Sequence, residues 1–217
     1  MRHLARMGHA ARTRTRGFSM IELLIVMTVM LITTGISVMI IQPALKDARV
    51  TSGYNATLTT LRRAHDEAAA ERRVYVVSFD NTVSPNTVTI SQNATLAGGG
   101  ILLVKTSLPS DITFHAEAGI PTNPAGACST PDGFGTGVKP IDFDQGVGGG
   151  GASTIYFYPD GSAHDAALNG NFNSGVVYMG RPGELGSSRA ITVWGTTGRI
   201  RGWRLVANGG ASCWRPQ

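Results

Sequence analysis

The chain has 217 residues, enough for one long helix and one globular domain, and 28 of these residues are glycines. Five of its 19 basic residues are arginines that precede residue 17, which leaves 14 basic and 14 acidic residues beyond that point and a net charge of zero. The formal charge of +5 therefore gives no reason to expect a general affinity for polyanions such as nucleic acid.

The first predicted element is an apolar helix over residues 18–41. Apart from Glu22 this run carries no charge, and as a helix it would be about 36 Å long, enough to cross a bilayer. The preceding residues hold arginines at positions 2, 6, 12, 14 and 16 and no acid. Basic residues beside a first apolar helix stay in the cytoplasm, so we expect the rest of the chain on the other side of the membrane. Because no cleavage site of small residues follows the run, we expect the helix to be kept.

Residues 17–24, GFSMIELL, resemble the signature of prepilins: a basic leader, a glycine, an aromatic residue that becomes methylated, and a glutamate five residues into the mature chain. The resemblance implies a leader over 1–17 that a prepilin peptidase removes between Gly17 and Phe18, followed by N-methylation of Phe18. It implies a single-pass protein of a bacterial inner membrane, with a cytoplasmic leader and a periplasmic C-terminal domain. Its implied partners are other pilin or pseudopilin subunits, the peptidase and an inner-membrane assembly platform, in a type IV pilus or a type II secretion pseudopilus.

Glu22 is the one charged residue in the apolar run. A carboxylate within a membrane helix costs about 3 kcal/mol and usually has a function or a partner. The resemblance implies that Glu22 pairs with the mature amino terminus of a neighbouring subunit and thereby selects the register of assembly. The alternative is that Glu22 lies close enough to the membrane interface to remain hydrated.

Beyond the apolar run we predict that the helix continues in amphipathic form over 42–72. Pro43 lacks a backbone N–H, so we expect it to kink the helix rather than end it. Apolar residues then recur at helical spacing on one face, at Tyr54, Leu58, Leu61 and Ala68. Following a prepilin signature, such a helix resembles the stalk of the lollipop-shaped pilins.

The remaining residues, 73–217, are predicted to form an antiparallel β-sheet domain, so the predicted fold class is α+β and pilin-like. Short runs bounded by Gly, Pro and Asp predict strands at 74–79, 87–91, 101–104, 112–115, 153–158, 176–179, 190–194 and 199–205. Pro159, Asp160 and Gly161 predict a tight turn, and 195–198 predict the turn of a closing hairpin. The stretch 117–153 is rich in glycine and has no pattern, so we expect an exposed loop there.

Two elements near the C-terminus carry a second resemblance. An aromatic residue before Pro-Asp-Gly at 157–161, and the ITV and TGRIR runs within 191–201, resemble the C-terminal domain of H-type pseudopilins and of FimT-like minor pilins. Together with the N-terminal signature this resemblance covers most of the chain but not 117–153.

Cys128 and Cys213 are the two cysteines of the chain. Outside the inner membrane a disulfide is permitted, and a pair in such a domain most simply bonds to itself. That bond would contribute about 4 to 5 kcal/mol by restricting the unfolded chain. The alternatives are free thiols and a bond between two molecules.

The residue patterns do not indicate an enzyme. The five histidines lack metal-ligand spacing, and no nucleophile motif of the G-x-S-x-G kind is present. We therefore expect no catalytic residues, no metal and no cofactor.

The C-terminal tail is basic. From residue 185 onward the chain has five arginines, three tryptophans and no acid. Arg199, Arg201 and Trp203 would share one face of a strand, with Arg204 beside them, and arginines with a stacking aromatic suit a nucleic-acid backbone. Residues 198–201, GRIR, also resemble the element with which some FimT-like minor pilins bind DNA. The alternative, which we favour, is that the arginines are solvated strand edges and the tryptophans fill the core.

The sequence thus predicts a non-enzymatic, H-like subunit of a type II secretion pseudopilus, which would assemble into a periplasmic filament that drives protein export. The alternative is a FimT- or FimU-like minor pilin of a type IV pilus that binds DNA through Arg199 and Arg201.

Overall fold

The structure, a computed structural model, describes residues 17–92, 100–145 and 153–217, except for the side chains of residues 40, 144 and 145. In these ranges one α-helix precedes a set of antiparallel strands. The helix is α1 (Met20–Glu71). The strands are β1 (Tyr75–Asp80), β2 (Thr87–Gln92), β3 (Ile101–Ser107), β4 (Ile141–Gln145), β5 (Thr154–Phe157), β6 (Ala163–His164), β7 (Ser174–Met179), β8 (Arg189–Val193), β9 (Ile200–Asn208) and β10 (Ala211–Pro216). This layout confirms the predicted α+β, pilin-like fold class.

Helix α1 continues through Pro43, as predicted, and the chain divides into two compact units between Ala44 and Leu45. In the first unit the apolar side chains of the helix are exposed. In the second unit the helix turns one face inward, and the buried hydrophobic residues on it are Val50, Tyr54, Leu61, Ala64 and Ala68, with Thr57 and Thr60 buried among them. The 3.6-residue period thus gives the second half of α1 an apolar stripe that the β-strands cover.

The second unit contains two five-stranded sheets. Their strand orders are β3-β2-β1-β5-β6 and β10-β9-β8-β7-β4. Apolar residues that alternate along the strands point towards α1 from both sheets, among them Val77, Ile155 and Ile191, and they join the helix face in one core. The sequence predicts one β domain but does not reveal that it is split between two sheets.

The predicted Pro-Asp-Gly turn links β5 to β6. Tyr158 donates its N–H to the carbonyl of Ser162, while the carboxylate of Asp160 accepts the N–H of Ser162 at 2.9 Å. Gly161 has a φ of 84°, which favours glycine. The Asp160 carboxylate also accepts a hydrogen bond from the Ser162 hydroxyl. This bond, and to a smaller extent the one from the Ser162 N–H, hold the pKa of Asp160 below its usual value.

Two of the predicted elements are wrong. Residues 112–115 do not form a strand; Thr113 makes only an isolated bridge to Gly180, because the chain turns just before it. The loop predicted over 117–153 contains β4, in which Phe143 is fully buried and Ile141 pairs with Val177 of β7. The flanking glycines conceal this short strand, and its partner lies more than thirty residues away along the chain.

Within residues 117–140 a few apolar side chains pack against the outer face of the second sheet, although many of the other residues there are exposed, as predicted. Ile120, which is 4% exposed, packs in a second cluster with Tyr178, Leu205 and Trp214. A disulfide between Cys128 and Cys213 ties the stretch to β10, with the two Cα atoms 4.7 Å apart. The polar composition of this segment reflects its turns, and a few apolar residues are enough to dock it on the sheet.

The close packing of α1 on β9 at Gly202 gives a first prediction. A Cβ built on Gly202 would overlap the hydroxyl of the buried Tyr54, whose ring is rigid. Gly202→Ala should therefore lower the free energy of unfolding of the 45–217 unit by about 1 to 3 kcal/mol, measured by urea titration. Gly186→Ala is the matched control, because nothing lies within 4 Å of its Cβ. Adding Tyr54→Phe should restore part of the loss, and equal stability of the two alanine variants would contradict the prediction.

Candidate processing and nucleic-acid sites

The predicted cleavage bond lies just ahead of α1. Gly17, Phe18 and Ser19 are not helical, α1 begins at Met20, and Phe18 is 79% exposed. A Cβ built on Gly17 would have nothing within 4 Å. The Gly17–Phe18 bond therefore lies in non-helical backbone just before α1, where it is accessible to a peptidase. The leader residues 1–16 lie outside the described ranges.

The first unit of α1 has the composition of a membrane helix. Helix α1 is long and apolar enough to cross a membrane, and its most apolar stretch is not buried within the protein. Its hydroxyl side chains bond back to the helix: Thr28 donates to the carbonyl of Leu24, Thr34 to that of Met30, both at 2.7 Å, and Ser37 to that of Thr33. Such bonds satisfy polar groups that hydrocarbon cannot hydrate.

Glu22 lies in the first turn of α1 and is exposed. Its carboxylate is near the N-terminal end of the helix, where backbone N–H groups and the helix dipole favour negative charge. The side chain is therefore available to a partner from outside the chain. No ion pair involves Glu22 among the described residues.

Arg201, one of the arginines predicted to bind DNA, is paired with a carboxylate within the domain. Its Nη1 lies 2.8 Å from Oδ1 of Asp132, whose side chain is 6% exposed. Thr192, which is fully buried, donates its hydroxyl to the other carboxylate oxygen of Asp132 and accepts the indole N–H of Trp203 at 3.1 Å. The Arg201 guanidinium lies over the Trp203 ring, 5.4 Å from its centroid.

This arrangement, the Asp132–Arg201 network, comprises Asp132, Thr192, Arg201 and Trp203. In this network the charge of Arg201 is paired with the carboxylate of Asp132. The Arg201 guanidinium covers the face of the Trp203 ring on which a base would stack. The network fastens the turn Pro131–Gly133, in which Asp132 has a φ of 52°, to the outer face of the second sheet. Arg201 and Trp203 therefore serve the fold in this state of the molecule.

The other two predicted arginines do not join Arg201. Arg199 is exposed and precedes β9, in the turn where Trp194 donates its N–H to the Arg199 carbonyl. Arg204 is exposed too, but five positions further along an extended strand it is about 16 Å away and on the opposite face. The structure thus separates the predicted DNA-binding set, Arg199, Arg201, Trp203 and Arg204, into three locations.

The sequence analysis missed two residues that decide these roles. Asp132 is the counter-ion of Arg201, and Asp47 of α1 lies 3.2 Å from Arg189, the largest fully buried side chain. Neither acid carries a signal in the sequence, because each lies far along the chain from its arginine. The tail contains no acid, so the carboxylate partners of Arg189 and Arg201 come from elsewhere in the chain.

One family model matches the chain. It describes the prokaryotic N-terminal methylation motif and matches residues 12–38. No curated protein and no solved structure matches the chain significantly. The motif supports a type IV pilin-like protein that is processed at its N-terminus and associates with prepilin peptidase and other pilin subunits. The single apolar helix is compatible with a membrane-anchored pilin.

Proposed function

We propose that this chain is a non-enzymatic, H-like subunit of a type II secretion pseudopilus. The observation that carries the proposal is the methylation motif at 12–38, continued by an apolar helix and a two-sheet domain. After removal of 1–17 the subunit leaves the inner membrane for a periplasmic filament that drives protein export. Its apolar helices bundle in the filament core, and Glu22 pairs with the amino terminus of a neighbouring subunit.

The Asp132–Arg201 network favours this scaffold function over DNA capture. A DNA-binding subunit needs cationic side chains whose charge is available to phosphate. Arg201 already has a buried carboxylate partner, and Trp203 donates its indole N–H to Thr192 and has the Arg201 cation over its ring. A FimT- or FimU-like minor pilin that binds DNA through Arg199 and Arg201 is the alternative, supported by the exposure of Arg199.

A deletion strain tests the proposed function. Loss of the gene should reduce export of proteins into the medium and leave DNA uptake unchanged, with both measured in the same cultures. A copy with Glu22→Val should be cleaved but should fail to restore export, whereas Glu22→Asp should restore it in part. Normal export together with lost DNA uptake would overturn the proposal in favour of the alternative.

The alternative has its own prediction. Asp132→Asn removes the counter-ion of Arg201, so the 45–217 unit should bind labelled double-stranded DNA more tightly than the wild type does and with a steeper dependence on salt. Asp66→Asn is the control, since it removes the same charge from a carboxylate side chain that is 79% exposed. Salt-sensitive binding by the wild type that Arg199→Ala/Arg201→Ala abolishes would contradict our assignment of Arg201 to the fold.

A further inference from the structure

Three arginines form a row across the second sheet. The register pairs Arg189 of β8 with Arg204 of β9, and Arg204 with Arg215 of β10. Like charges directly opposite each other on neighbouring strands destabilise a sheet unless something answers them. The repulsion within this arginine row, Arg189, Arg204 and Arg215, is therefore expected to be offset by nearby anions.

Within the row, Arg189 has its partners among the described residues. It is 1% exposed, it contacts Asp47, and it donates to the carbonyls of Ser187 and Ser188. Burial, and then the nearby charge of Arg204, lower the pKa of Arg189. Arg204 is thus close enough to repel it.

Arg204 and Arg215 have no such partners. Both are exposed, and among the residues that the structure describes no ion pair involves either one. Arg204 and Arg215 are paired on neighbouring strands, so their side chains leave the same face of the sheet as direct neighbours. Each side chain ends in a fork of N–H donors. Adjacent forks of this kind suit the oxygens of a phosphate group.

The position of the row in the chain favours a membrane as the source of that phosphate. Asp47, which contacts Arg189, follows the last residue of the apolar run, Ile41, by six positions. Six residues reach at most about 20 Å even when fully extended. If 18–41 lie in the bilayer, Asp47 and the neighbouring arginines are held close to the headgroups, where anionic lipids attract basic residues.

Nucleic acid is the less suitable partner for this pair. Single strands are bound by aromatic side chains that stack on bases beside the basic groups. Trp214 is 7% exposed and pairs with Leu205 in the cluster on the other face of the sheet. Trp214 therefore offers no stacking surface beside Arg204 and Arg215.

We propose that Arg204 and Arg215 bind the phosphates of anionic phospholipid headgroups and hold the periplasmic domain on the membrane before the subunit enters the filament. The proposal rests on the proposed function for the membrane anchor at 18–41, for the periplasmic location of the domain and for its later entry into the filament. It assigns to the tail arginines a role in the membrane-bound subunit, separate from the role of Arg201 in the fold.

Energy transfer in nanodiscs tests this proposal on the full chain. A fluorescent donor is placed at the exposed Ala207 through an unnatural keto side chain, and the acceptor is a dye on lipid headgroups. Discs contain phosphatidylcholine alone or with phosphatidylglycerol. Transfer should rise with phosphatidylglycerol and fall again with added salt. In Arg204→Gln/Arg215→Gln the ratio of docked to undocked domain should drop about 25-fold.

Arg72→Gln/Arg73→Gln is the matched control, because it removes two exposed arginines outside the row. This control should behave like the wild type. Transfer that ignores lipid charge, or an equal loss in the control, would overturn the proposal. So would binding of double-stranded DNA that requires Arg204 and Arg215 when lipid has no effect. Protease protection of residues 18–41 reports insertion separately, and its failure would overturn the membrane anchor itself together with this inference.

Discussion

Gly17→Val is expected to leave the basic leader, residues 1–17, on the chain and to abolish entry into filaments. The peptidase would meet a branched side chain where the wild-type backbone allows close approach. Among the described residues nothing lies within 4 Å of a Cβ at Gly17, so the substitution should leave the described fold unchanged. Any effect therefore reports on recognition of the cleavage site.

Intact mass spectrometry of membrane fractions provides the measurement. The wild type should yield a chain that begins at N-methylated Phe18, and Gly17→Val should yield the full-length chain. Gly35→Val is the control, since it makes the same change inside the apolar helix, again with nothing within 4 Å, and it should be cleaved normally. Cleavage of Gly17→Val at the wild-type rate would show that the bond lies elsewhere.

Removing the disulfide should have the largest effect on stability. Cys128 and Cys213 are separated by 85 positions, so their bond restricts a long segment of the unfolded chain. Cys128→Ser/Cys213→Ser should lower the free energy of unfolding by about 4 to 5 kcal/mol. The loss should be accompanied by exposure of the outer face of the second sheet, because the bond ties the covering segment to β10.

Urea titration of the oxidised 45–217 unit, followed by tryptophan fluorescence, measures this loss. Reduced wild type serves as the control, because it lacks the disulfide, as the double serine variant does, but keeps both sulfur atoms. The two should have equal stability. A double variant as stable as the oxidised wild type would mean that the bond contributes nothing to the folded domain.

The parts of the fold that the sequence predicts are those determined by local pattern. An uncharged run and a 3.6-residue period define α1, and Pro159, Asp160 and Gly161 define their turn through their own backbone preferences. β4 could not be predicted, because a short strand beside glycines gains its order from β7. The motif that predicts the cleavage bond can likewise be identified from the sequence alone, because its residues are contiguous; the bond itself stays a prediction.

The role of Arg201 could not be predicted for the opposite reason. Residues 198–201, GRIR, carry two positive charges. Whether those charges are free to bind an anion depends on residues elsewhere in the chain. Asp132 lies 69 positions before Arg201, and nothing local to either residue indicates that they meet. The same holds for Arg189 and Asp47, which are 142 positions apart. Charge in a tail is visible in a sequence, whereas its neutralisation is a tertiary property.

The Asp132–Arg201 network also has a consequence for how such domains diverge. Asp132 lies in a segment that covers the sheet without belonging to it, so that segment can change while β8 and β9 are retained. Loss of one carboxylate there would release a cation in an otherwise unaltered motif. A single substitution at Asp132 would thus be enough to turn a paired arginine into one that can meet a polyanion.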